Sequence, residues 1–436
     1  MTDSFRPIHY LGNKSRILDQ IEDAVARLVG ERTGSVVDLF AGSGVVSRRL
    51  ARHRPVHSVD VQEYSSVLAR AQSRPHAFTP GAREALLTDA AKFAAEILDG
   101  AVGDLADLED AAGEFDPALA AAVMERGSIA AWSASGGHQR EPVDELDRLL
   151  SEAAKALTDH PAAAMSRYYG GVYFGYRQAA WLDALMRART SLPSAARDTA
   201  TAAVLGTASE LTNSVGNHFA QPLRVTASDG TLKTGPLRAA VKRRRRDAMT
   251  TFNELLLRWS GLEPTPFAVR TVRSDFRDVV AELPADVRVV YADPPYTRDH
   301  YSRFYHVLET LALGDDPGLS TSTIGGVTLP SRGLYRERRH QSPFSIISEA
   351  PGALDLICTA LAERDVALLL SYSPVPDSSK PRDRVMTMDT VLEVVGASFA
   401  QVEVSTPDQI SHSKFNAAHL NAEVTQGAEV LISAWS

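Results

Sequence analysis

The chain has 436 residues, 44% of them hydrophobic, enough to bury the cores of two or three domains. No apolar run is as long as a membrane helix, the opening MTDSFRPIHYLGNK has no apolar signal core, and a single cysteine, Cys358, excludes both an internal disulfide and a cysteine zinc site, so a cytoplasmic protein is expected. The formal net charge of −8 gives no global sign of nucleic-acid binding, which leaves that role to local basic clusters such as VKRRRRD at 241–247 and SRGLYRERRH at 331–340.

In chain order, Ile17, Ile21, Val25 and Leu28 recur at helical spacing and predict a first helix. Val36–Phe40 is a short β-branched run followed by glycines, and Val56–Asp60 repeats the pattern of apolar residues ending in an acid. From about Thr88 to Thr265 the chain is alanine-rich, as in AKFAAEILDG and VDELDRLLSEAAKAL, and strands are hard to find. Strand patterns return at Phe267–Val272, Val287–Ala292 and Val366–Ser371, with a final pair at Val402–Ser405 and Val430–Ala434. Strands alternating with helices imply βαβ units and a mostly parallel sheet, so the expected class is α/β. The expected division is 1–88 plus 265–436 as one α/β domain, interrupted by a mainly helical insertion over 89–264. The Ser/Pro-containing segments near 315–345 and 373–383 read as surface loops.

Three stretches carry chemistry. In SVVDLFAGSGVV a strand runs through Asp38 into the turn Phe40-Ala41-Gly42-Ser43-Gly44, and glycines there bring backbone close to a ligand and expose helix N–H groups. The glycine spacing is not that of the dinucleotide fingerprint, and no P-loop lysine follows. Asp60, ending the next strand, is placed to accept bonds from ribose hydroxyls. In YLGNKSRIL, Gly12 and Asn13 suit a turn that would set Tyr10 and Lys14 toward the same pocket.

The third is YADPPYTRDHY, from Tyr291. Val287–Ala292 is a buried-strand pattern, and Asp293-Pro294-Pro295-Tyr296 lies past its carboxyl end, the edge where open α/β sheets bind ligands. Two prolines fix the backbone and remove two N–H donors, leaving the Asp293 carboxylate and the Pro294 carbonyl as acceptors beside the flat face of Tyr296. An exocyclic aromatic amine matches that set. Its lone pair is delocalised into the ring, and acceptors pulling on its hydrogens help return the pair to nitrogen.

With YLGNK, DLFAGSG, RSDF and DPPY in that order, the chain resembles the Dam-like α-group of DNA adenine methyltransferases over about 1–88 and 265–436. The resemblance implies a Rossmann-like S-adenosylmethionine-dependent fold that transfers a methyl group to N6 of a flipped adenine in double-stranded DNA. It implies that Tyr10 and Lys14 help hold the methionine end of the cofactor, and that Asp38, Phe40, Ala41, Gly42, Ser43 and Gly44 line its pocket. Asp60 would take the ribose, and Asp275 and Phe276 of TVRSDF the cofactor adenine. Asp293, Pro294, Pro295 and Tyr296 would take the target base. The insertion occupies the slot of the family's DNA-recognition region, and the setting implied is restriction–modification with a cognate endonuclease, phage defence, or an orphan enzyme. Lys242, Arg243, Arg244, Arg245, Arg246, Arg332, Arg336, Arg338 and Arg339 are candidate phosphate contacts.

Other features read as structural. Tyr301, Phe304, Tyr305, Leu308 and Leu311 follow the site at helical spacing and suggest core, as does YYGGVYFGYRQAAW at 168–181. LSYS at 370–373 ends a strand at the same sheet edge and is a candidate wall of the target pocket. His300 and His306 lack metal-ligand spacing. An RNA or N4-cytosine methyltransferase on the same scaffold, or a non-catalytic cofactor-binding protein, stays open on the residues alone.

Overall fold

The computed structural model describes residues 6–10, 12, 14–136, 144–158, 160, 162–298, 300–324, 326–373, 384–406, 409–415 and 429–436. The strands are β1 (Ser35–Asp38), β2 (Val56–Asp60), β3 (Val269–Arg273), β4 (Val287–Ala292), β5 (Thr321–Ile324), β6 (Val327–Pro330), β7 (Ala367–Tyr372), β8 (Gln401–Thr406), β9 (Gln409–Phe415) and β10 (Val430–Trp435). Eight of them form one sheet in the order β3-β2-β1-β4-β7-β10-β8-β9. The first five are mutually parallel; β10 runs antiparallel to both β7 and β8, and β9 antiparallel to β8. This is the mostly parallel α/β sheet that the alternation of strands and helices predicts.

Successive strand residues point to opposite faces, and both faces are covered. Val36, Val289 and Leu369 pack with Ile21 and Val25 of the helix Leu18–Val29. Val37, Val290 and Leu370 pack on the other side with Leu354 and Ile357 of the helix Ala350–Ala362. That is why the central strands read as unbroken β-branched runs rather than alternating ones.

Between β2 and β3 the described chain contributes helices and no strand to the sheet. Its aromatic segment is core: Tyr169, Tyr173, Phe174 and Tyr176 are fully buried. Tyr169, Tyr173 and Phe174 share one hydrophobic cluster with Tyr64 of the helix Glu63–Ser73 and with Tyr305 and Leu308 beyond β4, so the insertion is packed onto the sheet-bearing half rather than hung from it.

Three expectations change. β1 ends at Asp38, with Leu39 and Phe40 already in the turn. The stretch expected to be loop near 315–345 contains the antiparallel hairpin β5–β6, because Thr, Val and Ile alternate around the positive-φ turn at Gly326. β9, for which no strand was read, adds an edge beside β8. Asn13 and most of the 373–383 segment lie outside the described residues.

Candidate active site

β1 lies between β2 and β4, so the chain leaves it in opposite directions on its two sides, the crevice where parallel sheets bind ligands. There the amide of Leu39 donates to Tyr291 O (2.9 Å) and that of Ala41 to Val59 O (2.9 Å), which ties the glycine turn to both neighbouring strands. The DPPY segment and the glycine turn are therefore side by side because of strand order.

One cavity opens at this edge. Its wall includes Tyr10, Lys14, Phe40, Asp60, Asp275, Phe276, Asp293, Pro294, Pro295 and Tyr296, ten of the residues singled out in the sequence. Asp38, Ala41, Gly42, Ser43 and Gly44 stand behind that wall. Asp38 is buried and its Oδ2 accepts from Ser47 Oγ at 2.6 Å; burial raises its carboxyl to about 7. The Ser43 carbonyl accepts from Gln72 Nε2 at 2.7 Å. Gly42 has φ 54° and Tyr10 packed over it so closely that a Cβ would collide with the phenol ring. These residues shape the pocket from behind.

Asp60 is held by backbone. Its Oδ2 accepts from the Gly42 amide and its Oδ1 from the Gln62 amide, each at 2.9 Å, which aims the carboxylate at the cavity. Burial raises its proton affinity and the amide bonds oppose this. Asp275 caps the helix Phe276–Ala281 through the Arg277 amide and is clasped by the Arg277 guanidinium at 2.8 and 3.0 Å. Burial works against its charge, yet the Arg277 bonds hold its carboxyl below the usual range. Beside it, Phe40 and Phe276 meet Phe344, with ring centroids 5.3 to 5.6 Å apart. Phe344 escaped sequence reasoning because PFS at 343–345 carries no periodicity; only the serines flanking it in the cavity wall mark the place.

At the other end Lys14 governs the geometry. Its side chain is 4% exposed, and Nζ lies 2.8 Å from Asp293 Oδ2 and 2.7 Å from Glu429 Oε1, while donating to Gly12 O at 3.2 Å. Asp293 Oδ1 is buried and has no hydrogen-bond partner among the described residues. Burial raises the Asp293 carboxyl to about 6; the Lys14 charge opposes this and the Glu429 charge adds to it. Tyr296 stands with its ring against Tyr372 (5.8 Å, 70°), and the Arg384 guanidinium lies 4.9 Å from its centroid. Tyr372 and Ser371, whose Oγ accepts from Tyr291 at 3.0 Å, make LSYS a support of this wall. Tyr301 lines the cavity as well, while Phe304, Tyr305, Leu308 and Leu311 are core.

The basic clusters divide. Arg244 is buried against Glu109 and donates to Gly171 O and Val172 O; Arg243 donates to Thr212 O and Asn217 Oδ1. Arg336 is buried in a two-bond pair with Asp315. These three are fasteners, a correction to their reading as phosphate contacts, because packing brings each onto an internal acceptor far from it in sequence: Glu109 for Arg244, Thr212 O for Arg243 and Asp315 for Arg336. Lys242, Arg245, Arg246, Arg332 and Arg338 are exposed.

A model of the D12 class of N6 adenine-specific DNA methyltransferases matches residues 10–93 and 240–325, on both sides of most of the helical insertion. No curated protein and no solved structure matches the chain. The matched residues contain the glycine turn, Asp60, Asp275 and the DPPY segment, the groups that strand order gathers at one cavity. The match over these two regions supports a Dam-like, N6 adenine-specific DNA methyltransferase family for this chain.

Proposed function

We propose that this protein transfers the methyl group of S-adenosylmethionine to N6 of an adenine flipped out of duplex DNA, with Asp293-Pro294-Pro295-Tyr296 as the base site. The observation that carries the reading is the Asp293 carboxylate, in a residue that lines the cavity: Oδ2 is fixed by Lys14, and Oδ1 is buried and unpartnered among the described residues. An unsatisfied buried acceptor costs about 1–3 kcal/mol, so it marks a place where a donor belongs.

The residues present fit the cofactor. Phe40 and Phe276, backed by the buried Phe344, give the cavity an apolar wall of the kind an adenine ring lies against, and Asp60 offers a carboxylate, already oriented by two amides, to ribose hydroxyls. Asp275 would face the adenine's edge. When bound, the cofactor supplies an electrophilic methyl group. The chain supplies the rest. Tyr296 stacks on the flipped base, returning about 1–3 kcal/mol of the few lost on flipping. Asp293 accepts an amine hydrogen, which restores lone-pair density to nitrogen. With a carboxyl at about 6 it is ionised at neutral pH and can take the proton the amine must shed.

Duplex binding is supported by a group of three arginines beside the cavity. Arg303 and Arg339 lie 5.5 and 4.9 Å from the ring of Tyr335, Arg332 acts on the same phenol, and none of the three has a carboxylate partner among the described residues. Arg339 also donates to Ser320 Oγ (3.1 Å) at the base of the β5–β6 hairpin, whose Val327 is exposed. Three uncompensated cations in one place suit DNA phosphates. Modification within a restriction–modification or phage-defence system, or as an orphan enzyme, is the setting implied.

The test is incubation with unmethylated bacterial DNA and labelled S-adenosylmethionine, followed by mass spectrometry of the nucleosides. N6-methyldeoxyadenosine is expected with the wild type and not with Asp293→Ala. Label only on cytosine, or undiminished label with Asp293→Ala, would overturn the reading.

A further inference from the structure

The carboxylate on the far side of Lys14 has no part in the base site as described. Glu429 stands immediately before β10, outside the residues matched by the family model, and its side chain is 22% exposed. Its Oε1 is 2.7 Å from Lys14 Nζ, an ion pair. One buried ammonium thus lies between two carboxylates, so the three groups, when ionised, carry a net charge of −1.

Resting on Asp293 as the acceptor of the target amine, we propose that Glu429 is a positioning residue for methyl transfer, which anchors Lys14 and keeps the Asp293 carboxylate a strong acceptor. Lys14 fixes Asp293 through Oδ2 and leaves Oδ1 as the unpartnered acceptor. A cation acting on Asp293 alone would also draw charge from that oxygen and weaken its pull on the amine. Glu429 divides the cation's field and adds its own repulsion, while tethering Nζ by a second contact. The other groups that interact with Asp293 are Tyr10, Tyr291, Tyr296 and Tyr301, whose phenols are kept neutral by burial, and the buried Asp38. A change at Glu429 therefore reaches the pH profile through Asp293 and Lys14.

The experiment measures kcat/KM for methylation of unmethylated genomic DNA against pH, with the full-length wild type, Glu429→Gln, Glu429→Asp and Asp293→Asn. Glu429→Gln keeps the shape and removes the charge. Its rate at neutral pH is expected to fall about tenfold to a hundredfold, the scale of a misplaced reacting group, with the acid limb moved to lower pH. Glu429→Asp should keep the wild-type limb and recover part of the rate. Wild-type behaviour of Glu429→Gln, or equal losses in both Glu429 variants with an unmoved limb, overturns the proposal. Melting curves and DNA affinity separate misfolding from either result, and if Glu429→Gln does not fold, a moved limb in Glu429→Asp decides against the proposal and an unmoved limb with partial rate decides for it. Should Asp293→Asn keep full activity, the base-site reading itself fails. Should only the Glu429 variants behave as wild type, the base site stands without this residue.

Discussion

Lys14 Nζ meets Asp293 Oδ2 at 2.8 Å, joining a residue of the chain's first turn to the acid that follows its fourth strand. The contact sets both the orientation of the carboxylate and its proton affinity. Burial raises the Asp293 carboxyl to about 6 even with the cation beside it, so removing the cation raises it further. Lys14→Met should therefore move the acid limb of kcat/KM to higher pH, opposite in sign to the effect expected of Glu429→Gln. It should also destabilise the fold by up to about 3–5 kcal/mol, since two carboxylates are left without their cation. Calorimetric melting and the pH profile check the two parts separately.

Tyr296 offers the face on which a flipped base would stack. Tyr296→Ala is expected to lower kcat/KM roughly 5- to 150-fold, the equivalent of about 1–3 kcal/mol, whereas Tyr296→Phe keeps the ring and most of the rate. A 2-aminopurine at the target position would report the same contrast as a loss of flipping fluorescence in the alanine variant alone.

Gly42 combines a positive φ with a phenol packed where its side chain would go. Gly42→Ala should cost about 1–2 kcal/mol in backbone strain and push Tyr10 off Tyr305, on which it stacks at 4.9 Å. The expected result is at least a tenfold weaker affinity for S-adenosylmethionine by titration calorimetry, with DNA affinity unchanged. Equal cofactor affinity in the variant would remove the turn from the cofactor site.

If Arg303, Arg332 and Arg339 grip phosphates, the salt dependence of DNA binding must record it. Each lost contact flattens the slope of log K against log salt by about 0.9, so the triple glutamine variant should lose between about two and three units of slope. Glutamine at Arg244 should instead lower stability, because that guanidinium is buried against Glu109. Fluorescence anisotropy across a salt series distinguishes the two sites.

His306 is fully buried among Tyr169, Tyr173 and Tyr335, and burial pushes its imidazole down to about 3. Its folded pKa lies below the unfolded value, so its contribution to stability is complete above about 6.5 and is lost as pH falls toward 3. The buried carboxyls of Asp38 and Asp183, raised to about 7, run the other way, gaining stability as pH falls through 7. The melting-temperature difference between wild type and His306→Gln isolates the histidine. That difference should shrink steadily from pH 6.5 to 4.

Much of the site is legible in the sequence because each motif is a local consequence of a strand ending. SVVD, VHSVD and VRVVYA finish at Asp38, Asp60 and Ala292, and the turn glycines and prolines beyond them need no distant partner to take their shape. Parallel pairing then gathers those ends at one edge. That much, with the family resemblance, the residues determine alone. The tertiary structure decides everything that depends on which distant segments are brought into contact: Glu429 reaching Lys14, Phe344 backing Phe40 and Phe276, Arg303 joining Arg339 over Tyr335, and KRRRR being spent partly on Glu109 and on carbonyl oxygens inside the insertion. A charged side chain reads the same in sequence whether it faces water, a phosphate or a buried carboxylate. Its role is set by the group that packing places within about 3–4 Å of it, and packing is a property of the whole chain.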